Sequence, residues 1–189
     1  MDKTPKPILD RREKPRRSSS QLPRENDFGV WRQLRTELMD SVQIARLVEV
    51  CHPQLFEFDD CICLGDHDNA KANRSSFGAD RTGFEAFVNH IHPGDLWEGD
   101  PGAPGVESVR SVSMIIIASW AIALLPVLRG RSVLFFSGGS TVEDFAVRFH
   151  VDRGSSDTWA DISDAAFLTS SGLAVWRFDV NGLKTLHDW

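Results

Sequence analysis

The sequence contains no tyrosine and only three cysteines among its 189 residues. Without tyrosine, no phenol is available as a proton donor or as a hydrogen-bond donor to an oxyanion. A small, odd number of cysteines with no secretory hydrophobic segment argues against a disulfide scaffold and predicts a reducing, cytoplasmic location. The hydrophobic and charged fractions, 41% and 25%, are those of an ordinary globular domain, which argues against a wholly disordered or fibrous protein.

Positive charge is scarce in most of the chain. Eight of the 21 basic and three of the 27 acidic residues lie in residues 1–24, which leaves 13 basic and 24 acidic residues in 25–189. Because an acidic body repels phosphate backbones, no nucleic-acid partner is expected. We interpret residues 1–26 as a disordered basic tail, with a localisation signal or a weak polyanion contact as alternatives. Residues 27–189 are then a single domain, in which 55–82 is a possible insertion.

Motifs for metal-dependent and nucleophilic catalysis are weak or missing. Cys61-Ile62-Cys63 has fewer residues between its thiols than a zinc knuckle. His90-Ile91-His92 stands at the end of a predicted helix, where side chains two residues apart diverge. The chain has no Gly-x-Ser-x-Gly motif and no dinucleotide-binding fingerprint. We therefore expect neither a metal nor a cofactor.

One long apolar run, Ser113–Leu128, requires a choice between a core helix and a membrane anchor. The run is shorter than a bilayer-spanning helix and contains Ser113, Ser119 and Pro126. We therefore predict a buried helix from about Gly105 to Pro126 and no membrane partner, with a transmembrane anchor as the alternative.

The order of the predicted elements indicates the fold class. Helical periodicity covers Phe28–Val50, Gly65–Thr82 has the composition of an irregular loop, and Phe84–His92 is predicted to be a short helix. Leu96–Glu98 is predicted to begin a strand. After the apolar helix, four strands are predicted: Ser132–Phe136, Glu143–Arg153, Gly172–Asp179 and Leu183–Trp189. Helices followed by neighbouring strands predict an α+β fold, with helices packed on one face of a curved antiparallel sheet.

Several short motifs occur in a fixed order in residues 83–189. Gly83-Phe84-Glu85-Ala86-Phe87-Val88 is followed by Pro93-Gly94-Asp95-Leu96-Trp97-Glu98, and then by Asp100-Pro101-Gly102 ahead of the apolar helix. The strand FAVRFHV and the segment Val175–Leu183, with Trp189, complete the set. This order resembles the nuclear transport factor 2-like superfamily, especially its SnoaL-like polyketide cyclase and steroid isomerase branches.

The resemblance implies a cone-shaped barrel that holds one small, largely apolar ligand. Asp100 matches the aspartate that moves a proton in the isomerase branch, although an Asp-Pro-Gly turn without catalytic function is an equal alternative. His187 on the last strand is the second candidate catalytic residue. The expected ligand-binding side chains are all apolar: Trp97, Phe145, Val147, Phe149 and Trp176. His150 alternates with the phenylalanines, so it is expected to face outward or towards a second subunit.

The chain also departs from the isomerases, because it has no tyrosine and the second oxyanion position falls near Ala174. A steroid isomerase is therefore not expected. The first functional hypothesis is a cofactor-independent cyclase, isomerase or dehydratase that acts on a hydrophobic metabolite by acid–base chemistry. The alternatives are a non-catalytic ligand-binding or dimerisation module of the same fold and an acidic protein-binding inhibitor or immunity-type factor. We expect a homodimer in each case, and a filled cone would favour the non-catalytic alternatives.

Overall fold

A computed structural model describes residues 39–98, 104–154 and 157–189. The predicted tail and Asp100 lie outside these residues, as does the first part of the helix predicted from Phe28.

Five α-helices are found in the described residues: α1 Ser41–Cys51, α2 His67–Arg74, α3 Arg81–Val88, α4 Val106–Leu128 and α5 Ala165–Ser170. Aspartate side chains fix the start of four of them, because Asp40, Asp66, Asp80 and Asp164 each accept a hydrogen bond from a backbone amide of the first turn. Helix α4 begins after Gly105 with no side-chain cap, so its position depends on packing.

The strands form two antiparallel sheets. Strand β1 (Leu55–Phe58) pairs with β2 (Cys61–Leu64) as a hairpin. The main sheet contains β3 (His90–Ile91), β4 (Val133–Gly138), β5 (Ala146–Val151), β6 (Leu173–Asp179) and β7 (Gly182–His187). Its spatial order is β3-β5-β4-β6-β7, and all of its pairs are antiparallel. The four strands predicted after the apolar helix are thus confirmed.

Side chains on both faces of the central strands β4 and β5 are buried, whereas the edge strand β7 is mostly exposed. Phe135 on β4 pairs with Phe149 on β5 and Trp176 on β6, and these three side chains lie on the face that α4 covers. The next residue along β4, Phe136, points to the opposite face, as do Leu134 and His150. A second cluster covers that face, because Leu168 on α5 packs with Leu134 and Phe136.

Helix α4 is the centre of the main core. The Trp120 ring meets the Phe149 ring edge-on with 5.8 Å between centroids, and Trp120 Nε1 donates a 2.7 Å hydrogen bond to the Val50 carbonyl oxygen of α1. The helix agrees with the prediction at its start and continues two residues beyond Pro126. It is long and apolar enough to cross a membrane, but nine of its side chains are buried against the rest of the protein.

Helix α3 joins the hairpin to the main sheet. Glu85 is fully buried and accepts hydrogen bonds from the backbone amides of Ile62 (2.7 Å) and Val151 (3.0 Å) and from Arg153 Nη1 (2.5 Å). One turn later, Asn89 accepts a hydrogen bond from the Leu64 amide and donates one to the Ile62 carbonyl. These two side chains provide hydrogen-bond partners for backbone groups at strand edges, where no neighbouring strand provides them.

Three local predictions are wrong. Residues 65–82 are not an irregular loop, because Asp66 caps α2 and a 3₁₀ helix follows at Ser75–Phe77. Leu96–Glu98 does not begin a strand, since the Pro93–Trp97 segment is a 3₁₀ helix with proline in its first turn. The helix predicted over Phe84–His92 stops at Val88, and His90 pairs with Arg148 in the sheet.

The fold is therefore mixed α+β, with helices, a five-stranded antiparallel sheet and a two-stranded sheet. Within the described residues the strands do not close into a barrel.

Candidate functional site

The side chains expected to bind a ligand lie in the packed core beneath α4. Trp97, Phe145, Val147, Phe149 and Trp176 are each at most 6% exposed and belong to one apolar cluster. None of them lines the cavity described below.

The structure describes one of the two candidate catalytic residues, His187. Asp100 lies outside the described residues. His187 is half-buried at the end of β7, where its Nε2 lies 3.4 Å from Thr169 Oγ1 of α5. His187 pairs with Val175, which belongs to the cluster on the face opposite α4, so His187 lies on that face too.

On this second face, a cavity of about 270 Å³ lies between the sheet and the segment that leads into α5. Its lining residues come from β4, the β4–β5 loop, β5, the 159–171 region and the start of β6: Phe136, Gly138, Gly139, Asp144, Ala146, Arg148, Trp159, Phe167, Ser171 and Leu173. Trp159 and Phe167 are 38% and 44% exposed, so two aromatic rings stand at the solvent side of the cavity, above the buried residues Phe136, Gly138 and Ala146. An apolar concavity with a few polar groups is the usual form of a small-molecule site.

Arg148 is the cation of this cavity. Its guanidinium carbon lies 4.2 Å from the centre of the Trp159 ring, a cation–π contact. Among the described residues, no acidic side chain forms an ion pair with Arg148 and no hydrogen bond to its guanidinium is found. Burial lowers the pKa of Arg148 from its usual value, because the charged form loses hydration. The side chain remains a cation, since an arginine pKa is far above neutral pH.

Asp144 is the anion of the same cavity, but its oxygens are already occupied. Oδ1 accepts a 2.6 Å hydrogen bond from the Thr141 amide, and Oδ2 accepts a 2.8 Å hydrogen bond from Ser140 Oγ. The Thr141 amide, followed by the Ser140 hydroxyl, holds the pKa of Asp144 below its usual value. Asp144 therefore fixes the β4–β5 loop and stays ionised, while Arg148 keeps its donors free.

Gly138 allows a close backbone approach beside the cavity. A Cβ atom at this position would lie 2.2 Å from the Gly172 carbonyl oxygen, at the point where β4 meets the start of β6. The Ser-Gly-Gly-Ser sequence thus serves strand packing at the edge of the cavity.

His150 supports the Trp159 wall. Its Nδ1 lies 2.9 Å from the Val151 carbonyl oxygen, and its Nε2 accepts a 3.3 Å hydrogen bond from the Trp159 amide. This pattern requires a neutral ring with the proton on Nδ1. Burial lowers the pKa of His150, which favours that neutral form. The expectation that His150 faces outward is wrong, because the Trp159 segment covers it and leaves it fully buried.

No metal centre is formed by the residues that the structure describes, where no group of three or more histidine, cysteine or acidic side chains could hold an ion. The rings of His90 and His92 meet edge-on with 5.5 Å between centroids, and His92 Nδ1 lies 3.1 Å from the Phe145 carbonyl oxygen. Cys61 and Cys63 are buried, and desolvation raises the pKa of each thiol to about 12, so neither is a ready thiolate ligand.

Sequence reasoning missed Arg148 and Trp159. Arg148 places a permanent charge in the mostly apolar segment FAVRFHV, and such a charge is a signal for a group that faces something other than the core. Trp159 gives no comparable signal, because it follows a polar segment and the periodicity of the sequence does not predict that this segment packs on the sheet.

No protein-family model matches this chain, and no significant match was found among curated proteins or solved structures.

Proposed function

We propose that this protein is a small-molecule-binding module whose ligand occupies the cavity lined by Arg148 and Trp159. The observation that carries the proposal is the cavity itself, which combines an apolar floor, two exposed aromatic rings and a cation that has no acidic partner in the described part of the chain. A half-buried charge without a partner lowers stability, so its presence is better explained by a ligand than by the fold.

The packed core beneath α4 favours binding without turnover over the enzyme hypothesis. The side chains expected to line the cone, such as Phe149 and Trp176, are packed beneath α4. The buried histidine beside the cavity, His150, uses both ring nitrogens for structural contacts and has none left to transfer a proton.

The cone-shaped barrel of the nuclear transport factor 2-like superfamily remains part of the proposal. It is supported by the antiparallel sheet and by the long helix across one face. A cytoplasmic location and a homodimer likewise remain proposals. The reducing location agrees with three cysteines that are all free thiols.

Acid–base catalysis is the second candidate function, and the position of His187 is the observation that favours it. His187 lies on the cavity side of the sheet, beside the helix that carries Phe167. In this alternative His187, with Asp100, would act on a ligand held by the cavity. Loss of turnover in His187→Ala and in Asp100→Asn, with ligand affinity retained, would support it.

The ligand-binding proposal can be tested by filling the cavity. Ala146 lines it, so Ala146→Leu places a larger side chain in the ligand's space, whereas Ala123→Leu adds the same atoms to α4 away from it. A thermal-shift screen of one- and two-ring acids and neutral compounds should find ligands that stabilise the wild type by mass action. Ala146→Leu should abolish this shift and Ala123→Leu should retain it. A screen without binders, or hits that Ala146→Leu binds equally well, would contradict the proposal.

A further inference from the structure

We infer that the ligand of this cavity is a monoanion, a single carboxylate on a flat apolar body, and that Arg148 binds the carboxylate. This inference rests on the proposed ligand-binding function and names the chemical class of the ligand.

The other arginines of the described ranges have partners within the protein. Within the described ranges, Arg74 and Arg81 pair with Asp59, Arg110 with Glu107, Arg129 and Arg131 with Glu57, Arg153 with Glu85 and Arg177 with Asp152. Arg46 lies within 3.4 Å of two backbone carbonyl oxygens. Among the described residues Arg148 contacts only the Trp159 ring in this way, which leaves its guanidinium donors for a group that this part of the chain does not provide.

The groups around the Arg148 guanidinium indicate the shape of the ligand. The contact with Trp159 holds the guanidinium carbon 4.2 Å from the centre of the indole ring, and the planar fork of a guanidinium matches the two oxygens of a carboxylate. The rings of Phe136 and Phe167 provide flat apolar walls for the remainder of the ligand. A cavity of roughly 150 Å³ is enough for benzene. The volume of about 270 Å³ found here therefore suits a body of one or two fused rings.

The limit of one negative charge comes from Asp144. This carboxylate lines the same cavity, and its backbone and hydroxyl donors keep it ionised. A second anionic group on the ligand would lie in a cavity whose described lining holds Asp144 and no second lysine or arginine, so dianions such as phosphate monoesters should bind poorly.

Calorimetric titration with matched probes tests the inference. 2-Naphthoate and 2-naphthamide share shape and differ in charge, and naphthalene-2,6-dicarboxylate adds a second anion. We expect 2-naphthoate to bind about ten- to a hundredfold more tightly than the amide, the range for a charge-assisted hydrogen-bonded pair. The dicarboxylate should bind at least about tenfold more weakly than 2-naphthoate.

Two arginine variants test whether Arg148 causes the preference for the acid over the amide. Arg148→Met replaces the guanidinium with an apolar side chain, so it should remove the preference for 2-naphthoate over the amide by lowering the affinity for the acid far more than that for the amide. Arg177→Met is the matched control, since Arg177 lies on the same sheet face, with its Nε 2.8 Å from Asp152 Oδ2, and does not line the cavity. It should leave both affinities unchanged.

The outcomes separate this inference from the proposed function. If acid and amide bind equally, or if Arg148→Met retains the preference for the acid, the anion assignment is wrong while the binding module survives. Tight binding of the dicarboxylate would overturn the monoanion limit alone. If none of the three probes binds at millimolar concentration, both the binding module and its ligand class are contradicted.

Discussion

Removing the buried carboxylate of Glu85 should destabilise the protein more than removing any single exposed or half-buried carboxylate. Glu85 is fully buried and accepts three hydrogen bonds, two from backbone amides of different sheets and one from Arg153. In Glu85→Ala the amides of Ile62 and Val151 lose their partners, and each such loss costs about 1–3 kcal/mol. Arg153 loses its ion pair as well, which costs about 3–5 kcal/mol when the remaining charge is buried.

These costs overlap, because Arg153 keeps a 3.0 Å hydrogen bond to the Asp60 carbonyl oxygen and is partly exposed. We therefore expect a loss of about 4–6 kcal/mol in the free energy of unfolding, out of a typical total of about 5–15 kcal/mol. For a chain of this size the melting temperature should fall by about 10–20 °C. Glu85→Gln keeps one acceptor oxygen and should lose about half as much, which provides a measurable variant if Glu85→Ala does not fold.

Urea denaturation followed by circular dichroism measures this loss. Glu107→Ala is the matched control, because the Glu107 side chain is 83% exposed and its pair with Arg110 lies at the surface, so the loss should be under about 1 kcal/mol. If Glu85→Ala loses less than about 1 kcal/mol, Glu85 does not join the two sheets and the packing of α3 described above is wrong.

Three further predictions concern pH, thiol reactivity and the apolar helix. Because burial lowers the pKa of His150, the native state binds fewer protons than the unfolded state, so the contribution of His150 to stability is full above about pH 6.5 and falls as the pH drops below it. Urea denaturation from pH 7 to 5 should show this fall in the free energy of unfolding, and His150→Gln should reduce its dependence on pH. An equal pH dependence in the variant would show that another group causes the effect. Cys61 and Cys63, whose thiol pKa values are about 12, should not react with Ellman's reagent at pH 8 until the protein unfolds, and rapid reaction of either would show that the hairpin is open. Ile117→Asp should unfold the protein, because it buries an unpaired charge, while Ile122→Asp, at a position 70% exposed, should stay soluble and folded by circular dichroism. If the protein is obtained only by extraction from membranes and neither variant folds, α4 is a membrane span.

The strands and the long helix could be predicted from the sequence because their patterns are local. The alternation in FAVRFHV and the apolar run before Pro126 locate β5 and α4 closely. The segment 65–82 could not be assigned in this way, because the aspartates and asparagines that suggest a loop also cap and solvate short helices.

The site could not be predicted because it depends on which face of the sheet remains unfilled. Alternation correctly separates Phe149 from Arg148 and His150, but it does not show that α4 fills the phenylalanine face. The covering of the opposite face by Trp159 and α5 is a long-range contact that no local pattern encodes. Sequence reasoning therefore assigns the ligand to the face with the larger apolar content.

The location of the ligand is tested most directly by the indole signals of the tryptophans during a ligand titration. In ¹⁵N–¹H spectra recorded with increasing 2-naphthoate, the indole signal of Trp159, identified by its loss in Trp159→Phe, should shift because this ring lines the cavity. The indole signal of Trp120, which donates to the Val50 carbonyl oxygen beneath the other face of the sheet, should stay in place. Shifts of Trp120 and Trp176 with an unchanged Trp159 signal would place the ligand inside the α4-covered core and contradict a binding site at Arg148.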